Sequence, residues 1–441
     1  MTNLKTGFAR LCITPPLGTA IAGYYVKRNS KGILDDLHIS ALAIDDGETT
    51  VLLMSAELLE LNEKQNLEIR QVISEFCNIP VDAIFLGCTH THTGPVIGAS
   101  SQGENNPDYE KFMVSQMRDA AHYALNDLKD TKFSVATGEA KNISFIRRFR
   151  MKDGSVQTNP GRYNPDVKEP LGFPTEAVKL IMLERDGGDD VYLVNFGTHP
   201  DTIGGELISA DWPGFVRSNI EKLFDGVKCM VLLGVQGDVN HIDINPPEGV
   251  EKGTIKPYTG YDHSRHMGNV VAGAVMQICG KAERVNTDKI KYSSKKIIVA
   301  SNQENDRLSE AERIVKLHNE GRDNEIGGKG MELTTIVAEA LRIVRLKDGP
   351  ENYEFTINAL SLGDIALVFF PGEPFVEIGR RVEEASPFKM TLACAITNGG
   401  GTYFPTTSAF EEGGYEVRSS SLRKGVDNLL VEGSKELLNS F

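Results

Sequence analysis

The 441 residues include 61 acidic and 47 basic ones, a net charge of -14, with 40% hydrophobic and 24% charged residues. That balance is ordinary for a globular chain and excludes a disordered or fibrous one. An acidic surface repels phosphate backbones, and the longest basic cluster, Arg147-Arg148-Phe149-Arg150 with Lys152, is short, so nucleic acid is excluded as a partner.

In chain order, Ala41–Ile44 and Thr50–Ser55 flank Asp45-Asp46-Gly47 and predict a hairpin. Leu67–Phe76 has helical spacing, Ala83–Cys88 is an apolar run suited to a buried strand, and Tyr109–Leu128 is an amphipathic helix. Ala177–Glu184 and Val191–Phe196 form a second predicted hairpin. Cys229–Gly234 reads as a strand, His266–Cys279 as a helix and Ile290–Ala300 as a strand. Residues 301–349 turn to charged helix formers and predict a helical surface insertion. A third hairpin, Phe355–Leu362 with Ile365–Phe370, precedes a helix at Phe375–Ala385, a strand at Met390–Ile396 and a helix at Ser421–Leu438. The expected fold class is α/β, with mixed sheets and hairpins flanked by helices in one large domain over residues 1–441.

No stretch of about 18 apolar residues occurs, so no stable membrane insertion is expected. The N-terminus has no apolar segment of the secretory kind. The six cysteines are spread without a C-x-x-C pair, which argues against a thiolate zinc site and for a cytoplasmic location.

Chemistry gathers where apolar runs end. Ala83–Cys88 leads into Thr89-His90-Thr91-His92-Thr93-Gly94-Pro95, and in an extended segment residues i and i+2 share a side, so His90 and His92 can converge. Tyr192–Phe196 leads into Gly197-Thr198-His199-Pro200-Asp201. Met230–Val235 leads into Gln236-Gly237-Asp238-Val239-Asn240-His241, where Asp238 fits a ligand, a turn or a histidine partner, and His241 a ligand or substrate contact. Leu367–Phe370 leads into Pro371-Gly372-Glu373-Pro374, where Glu373 is a ligand or a helix cap, with Pro374 suited to the first helical position. Ile396-Thr397-Asn398 leads through three glycines to Tyr403. Three protein ligands with an open position make a catalytic zinc site, in which bound water drops from a pKa of about 16 to about 7. His92, off the metal, is then the candidate general base, and Arg147 or Arg148 the oxyanion partner. Asp211 is either a helix cap or a support for His199. His263 and His266 open a helix near the expected mouth, whereas His38, His122 and His318 fall in patterns that pack or face solvent. No G-x-S-x-G elbow occurs, which disfavours a serine hydrolase of the α/β class.

Taken in order, Ile13-Thr14-Pro15 with Gly23-Tyr24, His90–Pro95, His199, Leu207–Asp211, Gly237-Asp238-Val239, Pro371-Gly372-Glu373 with Gly379-Arg380-Arg381, and Tyr403 with Thr406-Thr407 resemble the neutral, non-lysosomal ceramidase family over nearly the whole chain. The resemblance implies a Zn2+ held by His90, His199, Glu373 and Tyr403, with His92 and Arg147 as catalytic groups and Tyr403 beside them. Arg148, Asp211, Asp238, Asn240 and His241 are expected at the substrate or behind the ligands. The sequence departs from that family in three ways. Its Gly-Asp-Val-Ser-Pro-Asn segment reads Gly237-Asp238-Val239-Asn240-His241-Ile242, so the serine is absent. Gly400 stands in place of one of two tyrosines, and the immunoglobulin-like C-terminal domain of longer members is missing. The expected substrate is therefore a small soluble amide rather than membrane ceramide. Two other classes compete: a binuclear barrel amidohydrolase, against which the three hairpins argue, and a binding relative that has lost catalysis. The oligomeric state is not encoded in any motif.

Overall fold

The computed structural model describes residues 4–98, 102–246, 259–303 and 306–441. One mixed sheet is built from β1 (Lys5–Cys12), β2 (His38–Asp45), β3 (Thr50–Ala56), β4 (Ile84–Cys88), β5 (Lys129–Glu139), β6 (Ala177–Arg185), β7 (Asp190–Phe196) and β8 (Val227–Leu233). Its order is β8-β7-β6-β5-β1-β2-β3-β4, with Glu283–Arg284 added beside β5. Pairing is antiparallel except at the two ends, where β7–β8 and β3–β4 run parallel. The ends curl toward each other, and Ser55 Oγ on β3 donates to the Val231 carbonyl on β8 across 2.7 Å.

A second sheet, β9 (Ile290–Ala300), β10 (Asn352–Leu362), β11 (Ile365–Phe369) and β12 (Met390–Cys394), is antiparallel until the parallel β11–β12 pair. Phe85 of β4 stacks on Phe369 of β11 with centroids 4.7 Å apart, joining the two sheets through one apolar core. The three predicted hairpins are present, and strands β4, β8 and β9 lie where apolar runs placed them. The architecture is α/β with mixed sheets in one large domain.

Helix α1 (Glu63–Cys77) begins with a capping box in which Asn62 and Gln65 satisfy each other's backbone N–H. Helix α2 (Pro107–Asn126) has Asn106 as cap and proline in its first turn. Helices α3 (Asp211–Leu223) and α4 (Tyr261–Cys279) pack together beside β8 and β5. In the 301–349 stretch, α5 (Leu308–Asn319) and α6 (Met331–Lys347) pair around a small core of their own, centred on Ile314, Ala340 and Ile343. Among the longer elements, β1, β5 and α3 escaped the apolar-run reading, as did the short helices at Thr407–Glu412 and Tyr415–Ser419. Lys5, Arg10, Lys129 and Lys132 interrupt the strand patterns with charges that reach solvent or partners at the strand edges.

Helix α7 (Val376–Glu384) starts two residues later than Pro374 suggests. Pro374 instead lies in a short parallel pairing of Glu373-Pro374 with Tyr403-Phe404, and Phe375 is the cap residue. The chain continues through α8 (Thr407–Glu412), α9 (Tyr415–Ser419) and α10 (Val426–Asn439), which packs on β9, β10 and α7.

Candidate active site

Five strands, β4, β7, β8, β11 and β12, finish at one place, at the carboxyl ends where α/β sheets present ligand-binding loops. The segment after β12 holds them together. Ala395 N donates to Leu233 O of β8, Cys88 N of β4 donates to Ile396 O, and Asn398 N donates to Leu86 O. The Asn398 side chain doubles the link, accepting from Leu86 N at 2.9 Å. Gly87 is required by this closure, since a Cβ there would stand 2.8 Å from Thr397 Oγ1.

His90 leaves β4 with a left-handed backbone (φ 67°), so the turn of the chain, and not the expected extended alternation, brings the histidines together. Its ring meets that of His92 at 4.9 Å and that of His199 at 5.1 Å, both edge-on. His90 Nδ1 lies 2.9 Å from Leu59 O, and His199 Nδ1 lies 2.9 Å from Gln236 O and 3.1 Å from Val239 O. Backbone carbonyls only accept, so each Nδ1 carries the proton and each Nε2 presents a lone pair inward. Glu373 Oε2 faces those nitrogens at 3.4 Å from His90 and 3.0 Å from His199. Tyr403 Oη completes the ring at 3.5 Å from His199 Nε2. The structure thus brings His90, His199, Glu373 and Tyr403 to a common point.

Two imidazole lone pairs and a carboxylate oxygen that point at one another repel unless a cation lies between them. The carboxylate oxygen, moreover, is buried with no hydrogen-bond donor among the described residues. The donor set, two imidazoles, a carboxylate and a phenol, is a zinc-compatible one. Ring nitrogens of His90, His92 and His199 also lie within 4.8 Å of one another and form the one histidine, cysteine or acidic trio among the described residues close enough to hold a metal.

His92 is set apart by its partners. Its ring sits 5.3 Å from that of Tyr24, and both ring nitrogens are buried without a hydrogen bond. Burial, with His90 alongside, lowers it to about 3, so the imidazole is neutral. Arg147, 5% exposed, lies over the Tyr403 ring at 5.4 Å, anchored by Nε to Glu416 at 2.7 Å and by Nη2 to Gly237 O at 2.8 Å. Arg148 reaches Glu412, Gly413 O and, at 3.6 Å, Glu416, and it lies over Phe375 rather than Tyr403.

Asp211 has a left-handed backbone (φ 57°) at the start of α3. Its Oδ1 accepts from Trp212 N and Ser264 Oγ, and its Oδ2 accepts from Thr202 N and Ile203 N, so it braces the loop after His199; the helix cap is Ala210, without a side-chain cap bond. Asn240 is tied into a turn, donating to Asn159 and accepting from Ile242 N. His241 Nδ1 pairs with Asp201 at 3.0 Å, and its ring lies 5.5 Å from His263, which is followed at 5.9 Å by His266. Asp238 accepts from Val376 N at 2.8 Å and holds the start of α7. His38 lies away from the centre in a buried group with Glu57 and Arg217.

Three residues at this centre, Glu60, Glu416 and Tyr415, carry no sequence signal, and a fourth, Asp201, has a partner that the sequence does not show. Glu60 lies beside His90 and Glu373, with burial raising its carboxyl, and Gly400 and Gly401 leave it room. Glu416 is fully buried against Arg147. Tyr415, on α9, brings a second aromatic ring to 6.1 Å from Tyr403, and its hydroxyl lies 2.8 Å from that of Tyr25. Asp201 was visible beside His199, but its bond to His241 was not.

No protein-family model matches the chain. The fold is that of the neutral ceramidases. The neutral ceramidase from Pseudomonas aeruginosa matches with a TM-score of 0.74 at 16% identity, over 100% of this chain and 75% of that one. A ceramidase complexed with C2 matches with a TM-score of 0.72 at 15% identity, over 100% of this chain and 76% of that one.

Proposed function

We propose that this chain, built on the neutral ceramidase fold, is a zinc-dependent hydrolase that cleaves the C–N bond of a small, soluble N-acyl compound. The observation that carries the reading is the ring of inward lone pairs: His90 Nε2, His199 Nε2 and Glu373 Oε2, with Tyr403 Oη alongside. A zinc ion held by these four groups supplies Lewis-acid polarisation of the amide carbonyl and of a nucleophilic water.

The rest of the chemistry belongs to side chains. His92, whose ring nitrogens have no hydrogen bond, is placed to accept the proton of the attacking water and return it to the departing amine nitrogen. Arg147, fixed by Glu416 and Gly237, places a permanent positive charge beside Tyr403, where the carbonyl oxygen gains charge as its carbon turns tetrahedral. Asn240 supplies no hydroxyl, and its amide is held by Asn159 and Ile242, so the mechanism needs no serine at this position. The single trio of candidate ligands among the described residues favours one metal over the binuclear alternative.

No helix among the described residues is long and apolar enough to cross a membrane. The six cysteines are free thiols, which supports a cytoplasmic location. The test is hydrolysis of a panel of short N-acyl amides by protein loaded with zinc and by protein stripped with a chelator. Turnover restored by zinc, and abolished in His199→Ala, is expected. Zinc binding without cleavage of any member would favour the non-catalytic reading.

A further inference from the structure

A cleft of about 690 Å³ opens beside the same strand ends, yet none of His90, His92, His199, Glu373 or Tyr403 lines it. Its walls come from the loop before β6, from α7 and from α8. Gly197, Gly234 and Val235, just past β7 and β8, line it together with Asp238. A pocket of this size with a few convergent polar groups is the usual form of a small-molecule site.

Its charge is lopsided. Six acidic residues line the cleft against three basic ones. Two of those three are already engaged: Arg148 with Glu412 and Glu416, and Lys179 with Glu383 and Thr391 O. Asp238 is the buried member of the acidic set, 5% exposed. Its Oδ1 accepts from Val376 N, while its Oδ2, beside Gly172 of the cleft wall, has no donor among the described residues. A carboxylate oxygen that faces the cleft without a donor is an acceptor for a ligand's N–H, and the third basic residue, Arg380, stands exposed on α7.

We propose that the cleft is a second ligand site that takes a small organic cation, a primary amine or amino alcohol, whose ammonium group donates to Asp238 Oδ2. The carbon chain of such a ligand lies against Phe375 and Pro170, and the hydroxyls of Thr406 and Ser408 are within the same walls to meet a polar tail. Burial pushes Asp238 up to about 6, against Val376 N, Arg148 and Arg147, which work the other way.

The site adjoins the histidine centre through shared backbone. Asp238 O accepts from Arg147 N, Gly237 N donates to Pro374 O, and Gly237 O accepts from Arg147 Nη2. An amine seated on Asp238 therefore touches the strap that carries Arg147 and Glu373. The inference does not depend on the hydrolase reading, because binding is measured without turnover.

The experiment is isothermal titration of the zinc-loaded protein with ethanolamine, with putrescine and, as the anionic control, with acetate. Wild type, Asp238→Asn and Ser408→Trp are compared. Asparagine keeps an acceptor for Val376 N but removes the charge, and the exposed Ser408 tolerates a large side chain that fills the cleft. Saturable heat with an amine in the wild type, at least tenfold weaker binding in both variants and none with acetate is expected. Absence of saturable amine binding at millimolar concentration would overturn the proposal. So would equal affinity in Ser408→Trp, which would put the amine at another place, or a preference for acetate.

Discussion

Glu416→Gln tests whether Arg147 is positioned for chemistry. In the folded chain Glu416 is fully buried, accepts from Arg147 Nε at 2.7 Å and from Thr158 Oγ1 at 3.1 Å, and lies 3.6 Å from Arg148 Nε. Removing one partner of a buried ion pair outright costs about 3–5 kcal/mol. Glutamine keeps one carbonyl oxygen as acceptor, so the loss shrinks to that of a charge-assisted hydrogen bond, about 1.5–3 kcal/mol. Arg147 keeps Gly237 O and the Tyr403 ring but loses the charge that fixes its angle. If its guanidinium meets the developing oxyanion, kcat drops by up to roughly 10²–10³-fold, the size of a lost oxyanion donor. Urea unfolding gives the stability term, and steady-state kinetics with zinc counted per chain gives the other. Glu412→Gln, which touches Arg148 and not Arg147, is the control and should leave kcat within about threefold. An unchanged kcat in Glu416→Gln would refute the role of Arg147, and zinc lost in step with activity would show that the arginine acts only by holding the ligands in place.

Other outcomes follow from the same geometry. His92→Ala should lower kcat by roughly 10²–10⁴-fold while zinc per chain stays constant; loss of zinc instead would make His92 a ligand. Gly237→Ala would place a Cβ 2.5 Å from Glu373 O, so it should destabilise by about 1–3 kcal/mol and weaken zinc binding, read by unfolding and by competition with a chelator. Asp35 gives a pH signature. Burial raises its carboxyl to about 6, against hydrogen bonds from Ser209 and Ala210 N that work the other way. Because the folded-state value lies above the unfolded value of about 3.9, the folded chain holds a proton that the unfolded chain has released. Its contribution is therefore complete below about pH 4 and lost as pH rises through 6, a change of roughly 3 kcal/mol. Unfolding free energies measured from pH 4 to 7 should fall less in Asp35→Asn than in the wild type; parallel slopes would contradict this.

Much of the centre was legible because its ligands follow strands whose apolar runs are unmistakable. His90 after Ile84–Cys88, His199 after Asp190–Phe196 and Glu373 after Ile365–Phe369 each stand where a buried strand must stop and expose polar groups. Tyr403 was harder, since Gly399, Gly400 and Gly401 separate it from β12, and its pairing with Glu373 is a tertiary fact. What stayed hidden depends on long-range contact. Glu416 sits in a five-residue helix whose pattern resembles a surface turn, and only folding places it against Arg147. Glu60, between Leu59 and Leu61 just before α1, belongs to no motif, and only folding brings Gly400 and Gly401 over it. The left-handed turn at His90 is equally invisible, because nothing in the run Thr89-His90-Thr91 favours it locally; hydrogen bonds from His90 N to Leu58 O and from Nδ1 to Leu59 O impose it.

The most direct test is anomalous scattering from crystals of the zinc-loaded protein, measured on both sides of the zinc absorption edge. The account predicts one peak per chain, about 2.0–2.2 Å from His90 Nε2, His199 Nε2, a Glu373 oxygen and Tyr403 Oη, with His92 outside bonding distance. A peak coordinated by His90, His92 and His199 with Glu373 and Tyr403 turned away, or no peak at this point, would contradict it.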